Sequence, residues 1–293
     1  MRETGNMFTG DEYQTRLGIW LTNKRLVQEH NAGQNSFQLA LNRFAHLTPS
    51  EYKVLLGFKM NKVERKQAQL SEGAVPNAAV DWRDKGVVNA VQDQGSCGSC
   101  WTFSTCQAQE SIYAINYGTL QKLSEQNLVD CVTSCSGCNG GLMTSAYAYV
   151  KSKQGGKFML QADYPYTGTD GTCRFDSSKG TSKITGYTTV KEGSETDLAE
   201  KISSLGVAAI AIDASLYSFQ LYSSGVYDDS SCSIANINHA VGCVGYGVEG
   251  SKNYWIVRNS WGTSWGEQGY CRMLKDSNNH CGVATMACLP TVK

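Results

Sequence analysis

The order of apolar and polar positions divides the chain into a leader and a two-toned body. Over residues 11–31, Leu17, Trp20, Leu21 and Val27 share one broad face, and Glu12 and Arg16 stand four apart. This spacing predicts an amphipathic helix. Phe37, Leu39 and Leu41 then alternate like a short strand. Thr48-Pro49-Ser50-Glu51 offers a capping hydroxyl, a first-turn proline and a glutamate three residues on, predicting a helix start with a capping box and Gly57 as its stop. Residues 1–73 therefore read as a separate helical leader. Its last part, 59–73, is rich in Lys, Arg, Gln and Glu, the composition of a solvated linker open to proteolytic nicking.

The body leans helical first. Residues 101–116 carry Phe103, Cys106, Ile112 and Tyr113 near helical spacing, contain no proline and run into Gly118 as a stop. Ser124 caps a helix toward Cys131, and 143–152 predict another. From Ile184 the apolar runs are short, β-rich and punctuated by glycine: 207–212, 240–246, 254–257 and 269–273. Helices segregated from strands, with no internal repeat, make an α+β pattern.

At 293 residues the chain has room for about two domains. Lys+Arg and Asp+Glu both number 26, so no net field draws in nucleic acid or anionic lipid. No apolar run approaches the ~18 residues of a membrane helix. Arg2, Glu3, Thr4 and Asn6 rule out a signal-peptide core after Met1. The twelve cysteines all lie at or beyond Cys97, which predicts a disulfide-stabilised body and a secretory, lysosomal or extracellular setting. The missing signal is explained if the sequence begins after it.

One decapeptide concentrates the chemistry: Gln94-Gly95-Ser96-Cys97-Gly98-Ser99-Cys100-Trp101-Thr102-Phe103. Cys100 falls in the first turn of the predicted helix, where unpaired N–H groups favour the thiolate, the nucleophilic form. Gly98 and Ser99 leave room for a substrate backbone. Taken alone, Cys-x-x-Cys is equally a disulfide, a redox pair or half a zinc site. A thiol nucleophile needs a base, and the chain has only His30, His46, His239 and His280. The first two lie in the leader. His280 sits in a polar run and reads as a loop residue; His239 opens a buried strand, with Asn259-Ser260-Trp261-Gly262 downstream.

Four motifs in order resemble the papain family of cysteine proteases, cathepsin L-like branch: Gln-Gly-Ser-Cys-Gly-Ser-Cys-Trp from Gln94, Cys-Asn-Gly-Gly from Cys138, Asn-His-Ala-Val-Gly from Asn238 and Asn-Ser-Trp-Gly from Asn259. The leader resembles that branch's inhibitory propeptide through Glu12, Arg16, Ile19, Trp20, Asn23, Val27 and Asn31, then Asn42 and Phe44. Ala40 and His46 depart from the usual Gly and Asp. The family's first propeptide helix has no counterpart, which implies a shortened leader. Val75 to Arg83 resembles the start of the mature enzyme, giving 1–73 as propeptide and linker and 74–293 as peptidase.

The resemblance implies a two-lobed fold, a helical left lobe facing an antiparallel β-barrel-like right lobe. Cys100 and His239 would form a thiolate–imidazolium pair across the cleft, with Asn259 orienting the ring and Trp261 screening it. The Gln94 side chain and the Cys100 N–H would bind the oxyanion; one such donor is worth about 3 kcal/mol in the transition state. Gly98, Gly140 and Gly141 would meet substrate backbone. Leu142, Met143, Ala211, Ile237, Ala240 and Met286 would line the pocket for the second residue before the scissile bond. That pocket is wholly apolar, implying Leu, Phe or Val there, and no two-histidine insertion blocks endopeptidase action. Asn238 stands where Asp is frequent. Implied disulfides are Cys97–Cys138, Cys131–Cys173 and Cys232–Cys281, leaving Cys106, Cys135, Cys243, Cys271 and Cys288 open. No cofactor or metal is implied. The expected partners are polypeptide substrates and the chain's own leader, on a monomer that is lysosomal, vacuolar or secreted. His46 in place of the acid suggests a histidine-timed release of the leader. A zinc site of Cys97, Cys100, Cys135 and Cys138, a thiol-disulfide oxidoreductase and an inactive binding homologue are the rival readings.

Overall fold

The computed structural model describes residues 7–59 and 79–293. Most of the stretch read as a linker, the boundary at 73/74 and the first residues of the presumed mature start lie outside them.

The leader opens with one long helix, α1 (Gly10–Ala32), with Asp11 and Glu12 in its first turn and His30 in its last, as the helix dipole favours. No α1 residue is fully buried; Trp20 and Val27 lean on the core from outside. Its asparagines act as substitute backbone. Asn31 donates to Leu39 O (2.8 Å) and accepts from Leu39 N (2.9 Å), and Asn23 donates to Ala45 O (2.8 Å). They fix strand β1 (Phe37–Leu39) and the turn after it. Helix α2 (Pro49–Val54) has the expected capping box: Glu51 N–H donates to Thr48 Oγ1 (3.2 Å) and Thr48 N–H to Glu51 Oε2 (2.9 Å). Arg16 forks onto the same carboxylate and ties α1 to α2.

The leader does not stand clear of the body in space, because β1 pairs antiparallel with β5 (Tyr222–Tyr227) of the body. A three-residue strand with Phe37 and Leu39 facing inward cannot bury them alone. The pairing is close at Gly225, whose φ is +90° and where a Cβ would sit 2.4 Å from Ser36 O. Nor does Gly57 stop α2, which already ends at Val54. That glycine serves a close approach described below.

In the body, α3 (Cys100–Tyr117) is buried continuously from Cys100 to Ile112 and ends at Gly118 (φ +72°). Part of the polar content of this central helix is bonded, Ser104 Oγ to Val241 O (2.8 Å), Thr105 Oγ1 to Trp101 O (2.7 Å) and Gln109 Nε2 to Ser182 O (2.9 Å), whereas the Gln107 amide and Ser111 Oγ are buried without a hydrogen-bond partner. Helices α4 (Glu125–Cys131, capped by Ser124) and α5 (Met143–Lys153) complete this half.

The other half is a sheet. It comprises β2 (Val80–Asp81), β3 (Gly186–Thr189), β4 (Ala208–Ile212), β5, β6 (His239–Glu249), β7 (Lys252–Arg258), β8 (Tyr270–Leu274) and β9 (Ala287–Thr291). With β1 the order is β1-β5-β8-β7-β6-β4-β9-β3, β2 adding to β6; every pair is antiparallel except β5–β8. All of β4 and the first nine residues of β6 are buried, which is why they read as unbroken apolar runs. This two-lobed α+β architecture is the expected papain-like one. The pattern missed α6 (Glu195–Leu205), a helix inside the β half capped by Ser194, and the single turn α7 (Tyr217–Gln220). Buried Glu195 accepts from Trp255 Nε1 (3.0 Å) and from the N–H groups of Asp276, Ser277 and Asn279, so it shapes that loop. His280, read as a loop residue, is in fact buried, its ring 6.2 Å from that of Tyr227.

The disulfides are Cys97–Cys138, Cys131–Cys173 and Cys232–Cys281. Cys100, Cys106, Cys135, Cys243, Cys271 and Cys288 are free thiols, all buried except the half-buried Cys135. Among the described residues no helix is long and apolar enough to cross a membrane.

The capping box generates one expectation. Thr48→Ala should cost the leader about 1 kcal/mol, read as a lower urea concentration at which the full chain becomes accessible to an active-site thiol label.

Candidate active site

Cys100 is the first residue of α3, at the N-terminus of a helix enclosed by the rest of the fold. Its sulfur accepts a hydrogen bond from Ala240 N–H (3.4 Å) on β6, and the leader's Gly57 N–H also points at it. On the preceding residue, His239 Nε2 meets Asn259 Oδ1 at 2.8 Å. Asn259 Oδ1 in turn accepts from Ser260 N–H (2.8 Å), which fixes its carbonyl toward the imidazole. Trp261 stacks on the His239 ring, centroids 4.7 Å apart and planes 28° apart. The helical half thus brings Cys100 and the sheet half brings His239, Ala240, Asn259 and Trp261.

Gln94 is fully buried. Ser260 Oγ donates to its Oε1 (2.7 Å), which leaves its NH2 aimed at two carbonyls, Cys97 O and the leader's Leu55 O, both at 2.9 Å. Tyr166 OH donates to the Gln94 carbonyl (2.8 Å) and lies 2.7 Å from Ser99 Oγ, so it steadies both approaches to Cys100. Neither Ser260 nor Tyr166 was picked out from the sequence. Ser260 could have been, since it stands inside the Asn-Ser-Trp-Gly motif; nothing in the spacing marks Tyr166.

Leader residues 55–59 fill the cleft and bond to both lobes. Gly141 N–H donates to Gly57 O (2.9 Å) and Lys59 N–H to Gly141 O (3.2 Å), while Phe58 N–H donates to Asn238 O (3.0 Å). The approach is close because glycine faces glycine. A Cβ on Gly57 would fall 1.7 Å from Gly98 O, and one on Gly140 would fall 2.6 Å from Gly57 O. Gly141 has a second constraint, since a Cβ there would be 2.7 Å from both Cys135 Sγ and the Trp101 ring. From this segment the Gly57 amide N–H is directed at the Cys100 sulfur.

The predicted pocket residues are buried or half-buried in the body. Met143, Ala211 and Ala240 are fully buried and Ile237 nearly so; Leu142 and Met286 pack against the same core, which also takes in Phe58 of the leader. Asn238 does more than line the cleft: its side chain donates to Asp213 Oδ1 and Asn236 O (both 2.9 Å) and accepts from Ala214 N–H (2.9 Å). An aspartate there would set a second carboxylate against buried Asp213. Beyond Asn238 a cavity of about 1030 Å³ lies between α1, α2 and residues 215–238.

In the zymogen both Cys100 and His239 are shifted by burial. Burial pushes the Cys100 thiol up to about 11, only partly offset by the N–H groups of Ala240 and Gly57. Burial likewise pulls His239 down to about 4 against the opposing pull of Asn259. His239 Nδ1 is buried without a hydrogen-bond partner. Under the leader, burial therefore disfavours the charged form of each group, the thiolate and the imidazolium. The rival readings of the cysteines fail on connectivity, since Cys97 and Cys138 are bonded to each other. They are unavailable to zinc, and Cys100 has no redox partner at Cys97.

Residues 76–291 match the family model described as papain family cysteine protease, and residues 1–52 match the cathepsin propeptide inhibitor domain (I29). The chain belongs to the papain family of cysteine proteases. It is 42% identical over 290 residues to digestive cysteine proteinase 1 of Homarus americanus, covering 96% of this chain and 89% of that protein. It is also 42% identical over 301 residues to a cathepsin L-like proteinase of Fasciola hepatica, covering 97% and 89%. Among solved structures, digestive procathepsin L 3 of Tenebrio molitor superposes with a TM-score of 0.89 at 36% identity, covering 99% of this chain and 96% of that one. This papain-family protease carries its inhibitor domain in the same chain, as a cathepsin L-like zymogen does.

The glycine contact can be tested directly. Gly57→Ala must push the leader away from Gly98, so the uncleaved chain should label at Cys100 at neutral pH at least tenfold faster than wild type; equal labelling rates would contradict the packing argument.

Proposed function

We propose that this zymogen matures into a cysteine endopeptidase in which Cys100 attacks the peptide carbonyl, His239 carries the proton, Asn259 orients the ring and Gln94 with the Cys100 N–H binds the oxyanion. The observation that carries this reading is the convergence at one point of the α3 N-terminus, the His239–Asn259 bond and the inward-facing Gln94 amide. Leader removal readmits water, and the pair relaxes to thiolate and imidazolium, favoured by the helix terminus and by the mutual charge. Thiolate attack on the carbonyl carbon forms the acyl-enzyme through a tetrahedral oxyanion; His239 then protonates the leaving amine, and water releases the acid. Leu55 O occupies the Gln94 donor in the zymogen, so the oxyanion site opens only when the leader leaves.

The acyl-side pocket takes Leu, Phe or Val at the second residue before the scissile bond. Support comes from Phe58 of the leader, an apolar side chain buried in the core that Met143, Ala211 and Ala240 share. The peptidase begins near residue 74 and acts as a monomer in a lysosome-like or vacuolar compartment or after secretion, in keeping with three disulfides.

Proton balance narrows the pH trigger. A neutral thiol–imidazole pair and a thiolate–imidazolium pair hold the same number of protons, so exchanging one for the other takes up none. Glu51 is held down to about 2 by the Arg16 guanidinium, so its contribution to the leader persists until well below pH 4.5. His46 differs: burial and nearby Arg16 lower it from 6.5, against opposing pulls from Glu51 and Glu12. A depressed histidine favours the docked leader above pH 6.5, and that contribution is lost as pH falls through its lowered value.

Three outcomes are expected. Cys100→Ala should abolish peptide hydrolysis after acid incubation, a loss on the order of 10⁶ in kcat, while the chain stays folded by circular dichroism. A fluorogenic panel should favour Leu, Phe or Val over Arg at the second residue before the cut by tenfold or more in kcat/KM. His46→Gln should move the midpoint of acid activation to lower pH, since the group that takes up the proton is gone; an unmoved midpoint clears His46 of that role.

A further inference from the structure

We propose that Asp93 selects a cationic side chain, arginine ahead of lysine, in the first two residues after the scissile bond; this rests on the endopeptidase reading above. In the zymogen, Arg43 of the leader forks onto this carboxylate, Nη1 to Oδ2 at 2.6 Å and Nη2 to Oδ1 at 2.7 Å. The two parallel bonds show that a guanidinium fits this position side-on. Gly95 N–H donates to Oδ1 (2.9 Å) and holds the carboxylate in place. Among the described residues Asp93 has no other salt-bridge partner.

The side of the cleft follows from the path of the leader. Its Leu55 O meets Gln94, Gly57 N–H points at Cys100, and Gly57 O and Lys59 N–H pair with Gly141. The sulfur lies between Gly141, on the acyl side, and the region reached by earlier leader residues. Asp93 belongs to that second region. It pairs with Trp261 in a short antiparallel bridge, and a Cβ on Gly262 would lie 3.3 Å from Asp93 Oδ2. Trp261 covers His239, the group that hands a proton to the departing amine. Asp93 therefore stands where the leaving peptide runs. The Arg43 guanidinium also lies over the Phe44 ring, 4.7 Å from its centroid, and Phe44 meets Trp261 edge-on at 5.3 Å. When the leader departs it takes the cation and the Phe44 ring together, leaving a fixed, solvent-accessible carboxylate beside the indole. The pair Asp93 makes with Arg43 would have to be replaced by water or by a substrate cation, and a forked guanidinium satisfies both oxygens at once.

The test uses acid-matured enzyme, titrated with an irreversible active-site label, and internally quenched peptides that differ only in Arg, Lys, Gln or Glu at each of the two positions after the cut. An exposed, screened pair of this kind predicts a two- to fivefold preference in kcat/KM for Arg over Gln at one of the positions, reduced in 0.5 M NaCl. The Arg/Gln ratio should fall to about one in Asp93→Asn, and Asp93→Lys should turn the preference toward Glu. Comparing ratios within each enzyme removes differences in folding or active fraction. A ratio near one at both positions in the wild type overturns the assignment, as does an Arg preference that survives Asp93→Asn. Absence of any cleavage that depends on Cys100 overturns the endopeptidase reading itself, a separate and distinguishable result.

Discussion

The zymogen depends on one arrangement: five leader residues, 55–59, supply hydrogen bonds to both walls of a cleft whose polar groups would otherwise face water. Gly141 on the helical side, Asn238 on the sheet side, the Gln94 amide and the Cys100 sulfur all find a leader partner. Because these partners are mostly backbone, the segment can be bound through its chain rather than through particular side chains, and glycine at 57 is what lets the backbones come close enough. Burial under the same segment also disfavours the charged forms of the thiol and the imidazole.

The rest of the leader keeps that segment in position. Tyr52 and Phe44 press edge-on against Trp261, centroids 5.7 and 5.3 Å away, and Tyr52 OH donates to Ala214 O (2.7 Å). Asn42 donates to Gln220 O, and Gln220 returns a bond to Phe44 O, both at 2.8 Å. Fixed on one side by β1 in the sheet and on the other by Arg43 on Asp93, the leader cannot slide along the cleft. Its helices gain little burial of their own; α1 holds its turn by asparagine bonds rather than by an apolar seam.

Local chemistry was legible in the sequence wherever it repeats a short rule. Thr48 and Glu51 announced the capping box, Gly118 the end of α3, and the unbroken apolar runs the buried strands β4 and β6. Cys100, His239 and Asn259 could be singled out together because motif order supplied what spacing alone did not. Long-range matters were less visible. Nothing local says that Phe37–Leu39 must cross to β5, and Gly57 looked like a helix stop because a glycine that ends a helix and one that admits a facing backbone are the same letter. Helix α6 was lost among strands, although Ser194 and the spacing of Leu198, Ala199 and Ile202 were there to be read. The burial that raises the Cys100 thiol and lowers His239 has no sequence signature at all, since it arises from segments far apart in the chain packing over one site.

The β1–β5 pairing has a further consequence. Once the leader is gone, β5 passes from the interior of the sheet to its rim, with a row of N–H and C=O groups newly open to any passing extended chain, the situation that invites self-association. The break in register after Gln38 and the φ of +90° at Gly225 interrupt the regular ladder along this strand. An irregular rim of this kind is a poorer template for another extended chain than a flat one.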